Sequence, residues 1–231
     1  TTAATVPLAV SVNGQDFAPV AGGFRYLTAA AASSVSPAVG PAAGSTALVV
    51  RGYAIGAARG TQLECRLGGL VVEATRLNHS AVACTSPNAT ALLDAAGGTA
   101  PLSVPLQLPL NGQLFTPSSQ LAYLLLPRHN VTAFSPVSGP AVGGTAVELS
   151  GRALGSGADY RCRFGYHRVV PATYDAYTGT LSCVAPVSAA DGAAPDAQPL
   201  EVTLNGQQYT SDALPFTQYA PVVVTNIDPP L

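Results

Sequence analysis

The chain has 231 residues, of which only 10% are charged, and its formal net charge is −2. All ten basic residues are arginines spread along the sequence, so no basic patch is available for nucleic acid. There is also no apolar run of about 18 residues, so no direct membrane insertion is predicted.

Glycine and proline recur between short apolar runs rich in alanine and valine. The chain contains 23 Gly and 20 Pro, and no stretch carries the 3.6-residue periodicity of an amphipathic helix. Short alternating runs separated by turn residues are typical of an all-β sandwich. We therefore expect an all-β fold with almost no helix.

A four-residue stretch occurs three times and gives the chain its repeat. Each copy follows an alternating apolar run and contains Asn-Gly, the pair that favours a two-residue type I′ hairpin turn with φ > 0 at both positions. The copies recur about every 96 residues, the size of a small β-domain. The predicted hairpin turn residues are Asn13, Gly14, Asn111, Gly112, Asn205 and Gly206.

A second alignment sets the domain boundaries. Residues 36–52 match residues 135–151 without a gap, through Ser-Pro, Gly-Pro and an alternating strand that ends in glycine. Two complete units are therefore expected, and the flanking segments resemble the end of one further unit and the start of another. The predicted organisation is 1–29 as C-terminal strands of a preceding repeat, 30–127 and 128–220 as repeats, and 221–231 as a first strand or linker of a following repeat.

The four cysteines fall at matched positions in the two units. One pair per repeat makes Cys65–Cys84 and Cys162–Cys183 the favoured pairings, each closing a loop of about 20 residues worth on the order of 3 kcal/mol. Buried free thiols in a cytosolic protein are the alternative. A zinc site is disfavoured because there is no CxxC spacing and no nearby histidine pair.

Three N-glycosylation sequons begin at Asn78, Asn88 and Asn130. A single sequon is weak evidence, but three of them beside paired cysteines favour the secretory route. The first two flank the second cysteine of the first repeat. The third lies at the junction between the two repeats.

The repeated motifs together resemble one domain family. Ser-Pro, Gly-Pro-X-X-Gly-Gly-Thr, Cys162-Arg163-Phe164, a Cys-X-X-Pro strand, the Asn-Gly hairpin and a closing Phe-X-X-Tyr are similar to the IPT/TIG domains. The first repeat departs from this pattern at Leu67, which replaces the aromatic residue. The resemblance implies immunoglobulin-like β-sandwiches in tandem, stacked end to end, as in plexins, scatter-factor receptors and ciliary surface proteins.

Nothing in the sequence indicates catalysis, a resident cofactor or a metal site. The three histidines, His79, His129 and His167, do not occupy matching positions in the two repeats. Nucleophile-elbow and phosphate-binding motifs are absent. We expect a protein that is not an enzyme and has neither cofactor nor metal.

Tyrosines cluster in the middle of the second repeat. The simplest interpretation is that Tyr160 and Tyr174 pack at the sandwich edge with their hydroxyl groups outward. The alternative is that Tyr166, Tyr174 and Tyr177 form an aromatic platform for a sugar or a protein. The first repeat has no equivalent cluster.

These features predict a non-catalytic extracellular structural or adhesion module, a segment of a multi-repeat rod on a cell or ciliary surface. Its partners would be other domains of the same longer chain and a protein or glycan surface partner. The alternatives are a ligand-binding receptor ectodomain and an accessory carbohydrate-binding module of a larger enzyme. Nucleic acid is disfavoured as a partner.

Overall fold

The computed structural model describes residues 4–26, 30–56, 63–108, 121–188, 196–220 and 226. Over these ranges the chain forms eighteen β-strands and one helix of six residues, α1 (Thr90–Ala95). This confirms the all-β fold class predicted from the turn residues and the alternating apolar runs.

The first described element is an antiparallel hairpin. β1 (Ala4–Val10) pairs with β2 (Ala18–Tyr26), and the two strands form a sheet of their own. Large apolar side chains of both strands are exposed to solvent, including Leu8, Val10 and Phe24. The hairpin therefore has strand pairing but no hydrophobic core.

The first complete repeat contains eight strands in one continuous hydrogen-bonded order. Five of its described pairings are antiparallel, and the short second strand of the repeat pairs in parallel with the last strand. The sheet order is β3-β5-β8-β7-β6-β9-β10-β4. The strands are β3 (Ala31–Ser36), β4 (Val39–Pro41), β5 (Ala47–Tyr53), β6 (Leu63–Leu67), β7 (Leu70–Asn78), β8 (Ala81–Thr85), β9 (Leu102–Gln107) and β10 (Ala122–Leu126).

The second repeat has the same topology. Its strand order is β11-β13-β16-β15-β14-β17-β18-β12, which is the order of the first repeat with eight added to each strand number. Its short second strand also pairs in parallel with its last strand. This identity confirms the tandem duplication read from the sequence. The strands are β11 (Asn130–Ser135), β12 (Ser138–Pro140), β13 (Ala146–Arg152), β14 (Arg161–Phe164), β15 (Arg168–Asp175), β16 (Thr180–Val184), β17 (Asp196–Thr203) and β18 (Leu214–Tyr219).

One strand of the second repeat is shared between the two layers of its sandwich. The first half of β15 pairs with β14, and the second half pairs with β16. Alternate residues of the strands point inward, as Val147 and Leu149 do in β13. They meet Phe164, Leu181 and Phe216 in a buried core, so each layer covers the apolar face of the other.

The predicted type I′ turns are wrong. Gly14 and Gly206 each have a φ of +74°, but neither Asn13 nor Asn205 is among the non-glycine residues with positive φ. The connections are also longer than two residues, because β17 ends at Thr203 and β18 begins at Leu214. The third copy, Asn111-Gly112, lies outside the described residues.

The asparagine of each described copy stabilises its turn through the side chain instead. The Oδ1 atom of Asn205 accepts backbone N–H bonds from Gln207 and Gln208 at 3.0 and 3.2 Å. The Oδ1 atom of Asn13 accepts the equivalent bonds from Gln15 and Asp16, both at 2.9 Å. This is an Asx turn, in which a side-chain carbonyl replaces the backbone acceptor and the asparagine keeps an ordinary φ.

Candidate functional site

Both predicted disulfides are present, one in each repeat. Cys162 of β14 bonds Cys183 of β16, and the Cα atoms lie 6.5 Å apart. Cys65 of β6 bonds Cys84 of β8 with a Cα separation of 6.4 Å. All four cysteines are buried. The Cys162–Cys183 bridge joins the two layers that β15 connects. Disulfides of this kind persist in oxidising compartments.

Two of the clustered tyrosines form a packed pair. The rings of Tyr160 and Tyr174 stack with centroids 5.7 Å apart and planes 15° apart. The backbone N–H of Gly157 donates to the Tyr160 hydroxyl at 2.6 Å. Burial raises the pKa of Tyr160. Tyr174, predicted as a binding residue, is therefore part of the packing of the sandwich edge.

The other two tyrosines are exposed but lie far from each other. Tyr166 follows β14 and is 82% exposed, whereas Tyr177 follows β15 and is 98% exposed. The eight residues of β15 separate these turns, and at about 3.3 Å per residue that is roughly 25 Å. Tyr166 thus lies beyond the start of β15, whereas Tyr174 and Tyr177 lie near its end, so the three predicted binding tyrosines do not form one platform.

The turn that carries Tyr177 is fixed by its neighbour Asp175. The backbone N–H of Tyr177 donates to the Asp175 carboxylate at 2.8 Å, and this bond lowers the pKa of Asp175. The turn that carries Tyr166 begins at Gly165, whose φ is +67°. Both exposed rings are therefore presented by ordered turns, and the Tyr166 ring lies 6.4 Å from the His167 ring with the two planes tilted by 54°.

A buried carboxylate that sequence reasoning missed organises the last loop of the second repeat. Glu201 is only 4% exposed. It accepts backbone N–H bonds from Asp212 at 3.2 Å and Ala213 at 2.7 Å, together with the hydroxyl of Thr210. Because its oxygens are engaged by groups of one loop, Glu201 fastens residues 210–213 to β17. Its role is structural.

Arginine side chains on the same face are also paired. The Arg163 guanidinium lies 4.2 Å above the centre of the Tyr209 ring, a cation–π contact. Arg161 forms two hydrogen bonds with the Asp159 carboxylate, at 2.8 and 2.7 Å. This pairing lowers the pKa of Asp159. The exposed Arg161–Asp159 pair and the half-buried Arg163 leave no concentrated positive surface on β14.

The three sequons occupy different kinds of backbone. Asn78 is the last residue of β7 and Asn88 precedes α1, and both are exposed. Asn130 is the first residue of β11 and is half-buried. Only the first two therefore lie where chain direction reverses or a strand has ended.

The histidines show no catalytic arrangement. His79 and His167 are exposed in separate turns, and burial lowers the pKa of His129. Within the described ranges, no three His, Cys, Asp or Glu side chains come together in a way that could hold a metal ion. The same residues contain no helix long and apolar enough to cross a membrane.

Two disulfide-braced sandwiches with identical strand order define a tandem immunoglobulin-like module. The model of the IPT/TIG domain matches residues 31–123 and again 130–218. The chain therefore belongs to the IPT/TIG domain family, as its motifs predicted. A search of curated proteins gives no match.

One of the similar solved structures, a plexin ectodomain, supports the same fold. The extracellular region of plexin A4, domains 1 to 10, is similar over 94% of this chain, with a TM-score of 0.60 and 16% identity. This chain spans 18% of that structure. A second plexin A4 structure has a TM-score of 0.46 at 14% identity and covers 90% of this chain and 20% of its own. SGBP-B from a xyloglucan utilization locus of Bacteroides uniformis has a TM-score of 0.32 at 13% identity, and the match covers 83% of this chain and 49% of that protein.

Proposed function

We propose that this chain is a non-catalytic structural and adhesion module of an extracellular protein built from several IPT/TIG repeats. The observation that carries the proposal is the duplication itself, because one sandwich with one internal disulfide occurs twice in the same strand order. The buried cysteines and the apolar side chains around them serve to pack each sandwich. Such a module acts by holding its loops and edges at a fixed spacing.

The exposed N-terminal hairpin supports a larger array. Its apolar positions align with core positions of the second repeat through the shared Asn-Gly stretch. Leu8 is 41% exposed and its counterpart Leu200 is 0% exposed; Val10 is 56% exposed and its counterpart Val202 is 0% exposed. We therefore interpret residues 1–29 as the last strands of a preceding repeat, with 30–127 and 128–220 as the two complete repeats. Residues 221–231 are assigned to a following repeat by their sequence.

We propose an extracellular location, on the cell surface or the ciliary surface, and the two disulfides support its extracellular part. Structural disulfides form on the secretory route and are rare in reducing compartments. Antibody labelling of unpermeabilised cells that produce the natural protein tests the location. Signal that appears only after permeabilisation would contradict it.

A domain exchange separates the structural role from a receptor role. Residues 130–219 of the natural surface protein are replaced by an unrelated β-sandwich of similar length. A structural module predicts that cell attachment is retained, since spacing is preserved. Loss of attachment with normal surface display would show that the second repeat recognises a ligand.

The alternative functions are a ligand-binding receptor ectodomain and an accessory carbohydrate-binding module, and exposed aromatic residues favour them. Tyr166 and Tyr177 present large rings to solvent from ordered turns, as protein and glycan contacts commonly require. A glycan array and a cell-surface pulldown test this role with Tyr166→Ala and Tyr177→Ala. Tyr174→Ala is the matched packing control, because its ring stacks on Tyr160. Binding that is lost only in the first two variants would favour recognition.

A further inference from the structure

We propose that Asn78 and Asn88 carry N-linked glycans and that the third sequon, at Asn130, stays unmodified. The proposal rests on the extracellular location proposed above, but its test does not, because the chain can be directed into the secretory pathway by an added leader. Three sequons look equivalent in sequence. Their local structures divide them into two turns and one strand.

The first sequon forms a compact turn at the end of a hairpin. Asn78 pairs with Ala81, so His79 and Ser80 make the connection between β7 and β8. The Oδ1 atom of Asn78 accepts the backbone N–H of Ser80 at 2.8 Å and the Ser80 hydroxyl at 3.1 Å. All three sequon residues are exposed.

The second sequon repeats this geometry in a different context. Asn88 lies between β8 and α1 and is exposed. Its Oδ1 atom accepts the backbone N–H of Thr90 at 3.0 Å and the Thr90 hydroxyl at 2.8 Å. Ala89, between them, is 2% exposed, so the turn is anchored while the asparagine side chain projects outward.

This geometry is compatible with the attached glycan. Transfer forms a bond between Nδ2 and the anomeric carbon of an oligosaccharide donated as a lipid-linked diphosphate. The bond from that carbon to the diphosphate oxygen breaks, and Nδ2 loses one proton to the transferase or the leaving diphosphate. The product is still an amide, so Oδ1 remains an acceptor and both turns keep their hydrogen bonds. Acceptor sequons are typical of surface loops.

The third sequon differs at each of these points. Asn130 is half-buried and pairs with Arg152 of β13 in an antiparallel ladder. The register of this ladder shifts between Val131 and Ala133, so Thr132 lies at a β-bulge and not in a turn that folds back onto the asparagine. The Thr132 hydroxyl instead donates to the carbonyl of Ser150 at 3.3 Å.

The backbone beside Asn130 is also held in place. The N–H of Val131 donates to the Asp212 carboxylate at 2.6 Å. A bulky glycan here would have to leave from a half-buried strand with no turn to direct it into solvent.

Glycan occupancy is measured separately at each of the three sequons. The full 231-residue chain is secreted from a eukaryotic host, deglycosylated enzymatically in heavy-oxygen water and analysed by peptide mass spectrometry. Enzymatic removal of a glycan converts its asparagine to an aspartate that contains the heavy oxygen. Most molecules are expected to carry this labelled aspartate at positions 78 and 88, and few at position 130. Predominant occupancy of Asn130, or an unoccupied Asn78 or Asn88, would overturn the proposal.

Substitutions give an independent readout on gels of the secreted chain. Asn78→Gln and Asn88→Gln should each lower the apparent mass of the secreted chain by the mass of one glycan, and Asn130→Gln should leave it unchanged. Ser80→Ala and Thr90→Ala should match the first two variants while keeping the asparagines, so a folding defect caused by glutamine is recognised. A decrease in apparent mass with Asn130→Gln would contradict the assignment.

Discussion

Removing one disulfide should weaken one repeat and spare the other. The variant Cys162→Ala/Cys183→Ala deletes the bridge between β14 and β16 of the second repeat. The first repeat keeps Cys65–Cys84 and serves as the reference within the same molecule.

The expected loss follows from the loop that the bridge closes. A sequence separation of 21 residues gives about 3 kcal/mol from the restricted unfolded chain in the loop-entropy model. Truncating two buried sulfurs adds about 1 kcal/mol of lost packing. A total near 4 kcal/mol corresponds to roughly a thousand-fold change in the unfolding equilibrium. Because domains of this size are stable by about 5–15 kcal/mol, the second repeat should remain folded.

Native-state amide hydrogen exchange measures this change separately in each repeat. Protection of core amides in β13 and β16 should fall by roughly a thousand-fold, and protection in β5 and β8 should stay constant. Ser182→Ala, an exposed substitution on β16, is the control and should change stability by less than about 0.5 kcal/mol.

Two results would refute the reasoning. Equal loss of protection in both repeats would mean that the two sandwiches unfold as one unit. Unchanged protection in the second repeat would mean that its bridge restrains nothing in the unfolded chain.

Three further substitutions test other features. Glu201→Gln keeps the side-chain volume but turns an amide NH₂ toward N–H donors, so urea unfolding should show a loss of about 2 kcal/mol; no loss would contradict the carboxylate's role. Asn205→Ala should cost about 1–2 kcal/mol in the same assay, whereas Asn13→Ala, in the exposed hairpin, should cost less than about 0.5 kcal/mol. The lowered pKa of His129 means that the unfolded chain binds its proton more readily, so stability should decline as pH falls below 6.5. His129→Gln should flatten that decline in unfolding midpoints measured across this range, and an unchanged slope would refute it.

The all-β fold class was predictable because the relevant signals are local. Alternation places Val147 and Leu149 on one face of β13 whatever the rest of the chain does. The matched cysteines were equally readable, since a duplicated unit repeats its bridge. The immunoglobulin-like sandwich then followed from the resemblance to a known domain.

The turns were mispredicted because Asn-Gly has two stable uses. The pair can take positive φ at both residues, or the asparagine side chain can accept the backbone N–H groups that follow it. The second arrangement occurs at Asn205, where Oδ1 bonds Gln207 and Gln208. Sequence alone does not rank the two, because the choice depends on how far apart the strands end.

Contacts between distant segments were also hidden from the sequence. Glu201 lies in an alternating strand where a charged residue would normally face water, and only residues 210–213 folding over it make it buried. The tyrosines close in sequence separate for a similar reason, because β15 places the turns of Tyr166 and Tyr177 at its two ends. Proximity along the chain did not become proximity in space.

Mapping the disulfides of the protein isolated from its natural source tests the central claim most directly. Digestion without reductant, after alkylation of any free thiol, should release one linked peptide pair containing Cys65 and Cys84 and another containing Cys162 and Cys183, with no alkylated cysteine. A link between Cys65 and Cys162, or four alkylated cysteines, would contradict an extracellular module made of two separately braced sandwiches.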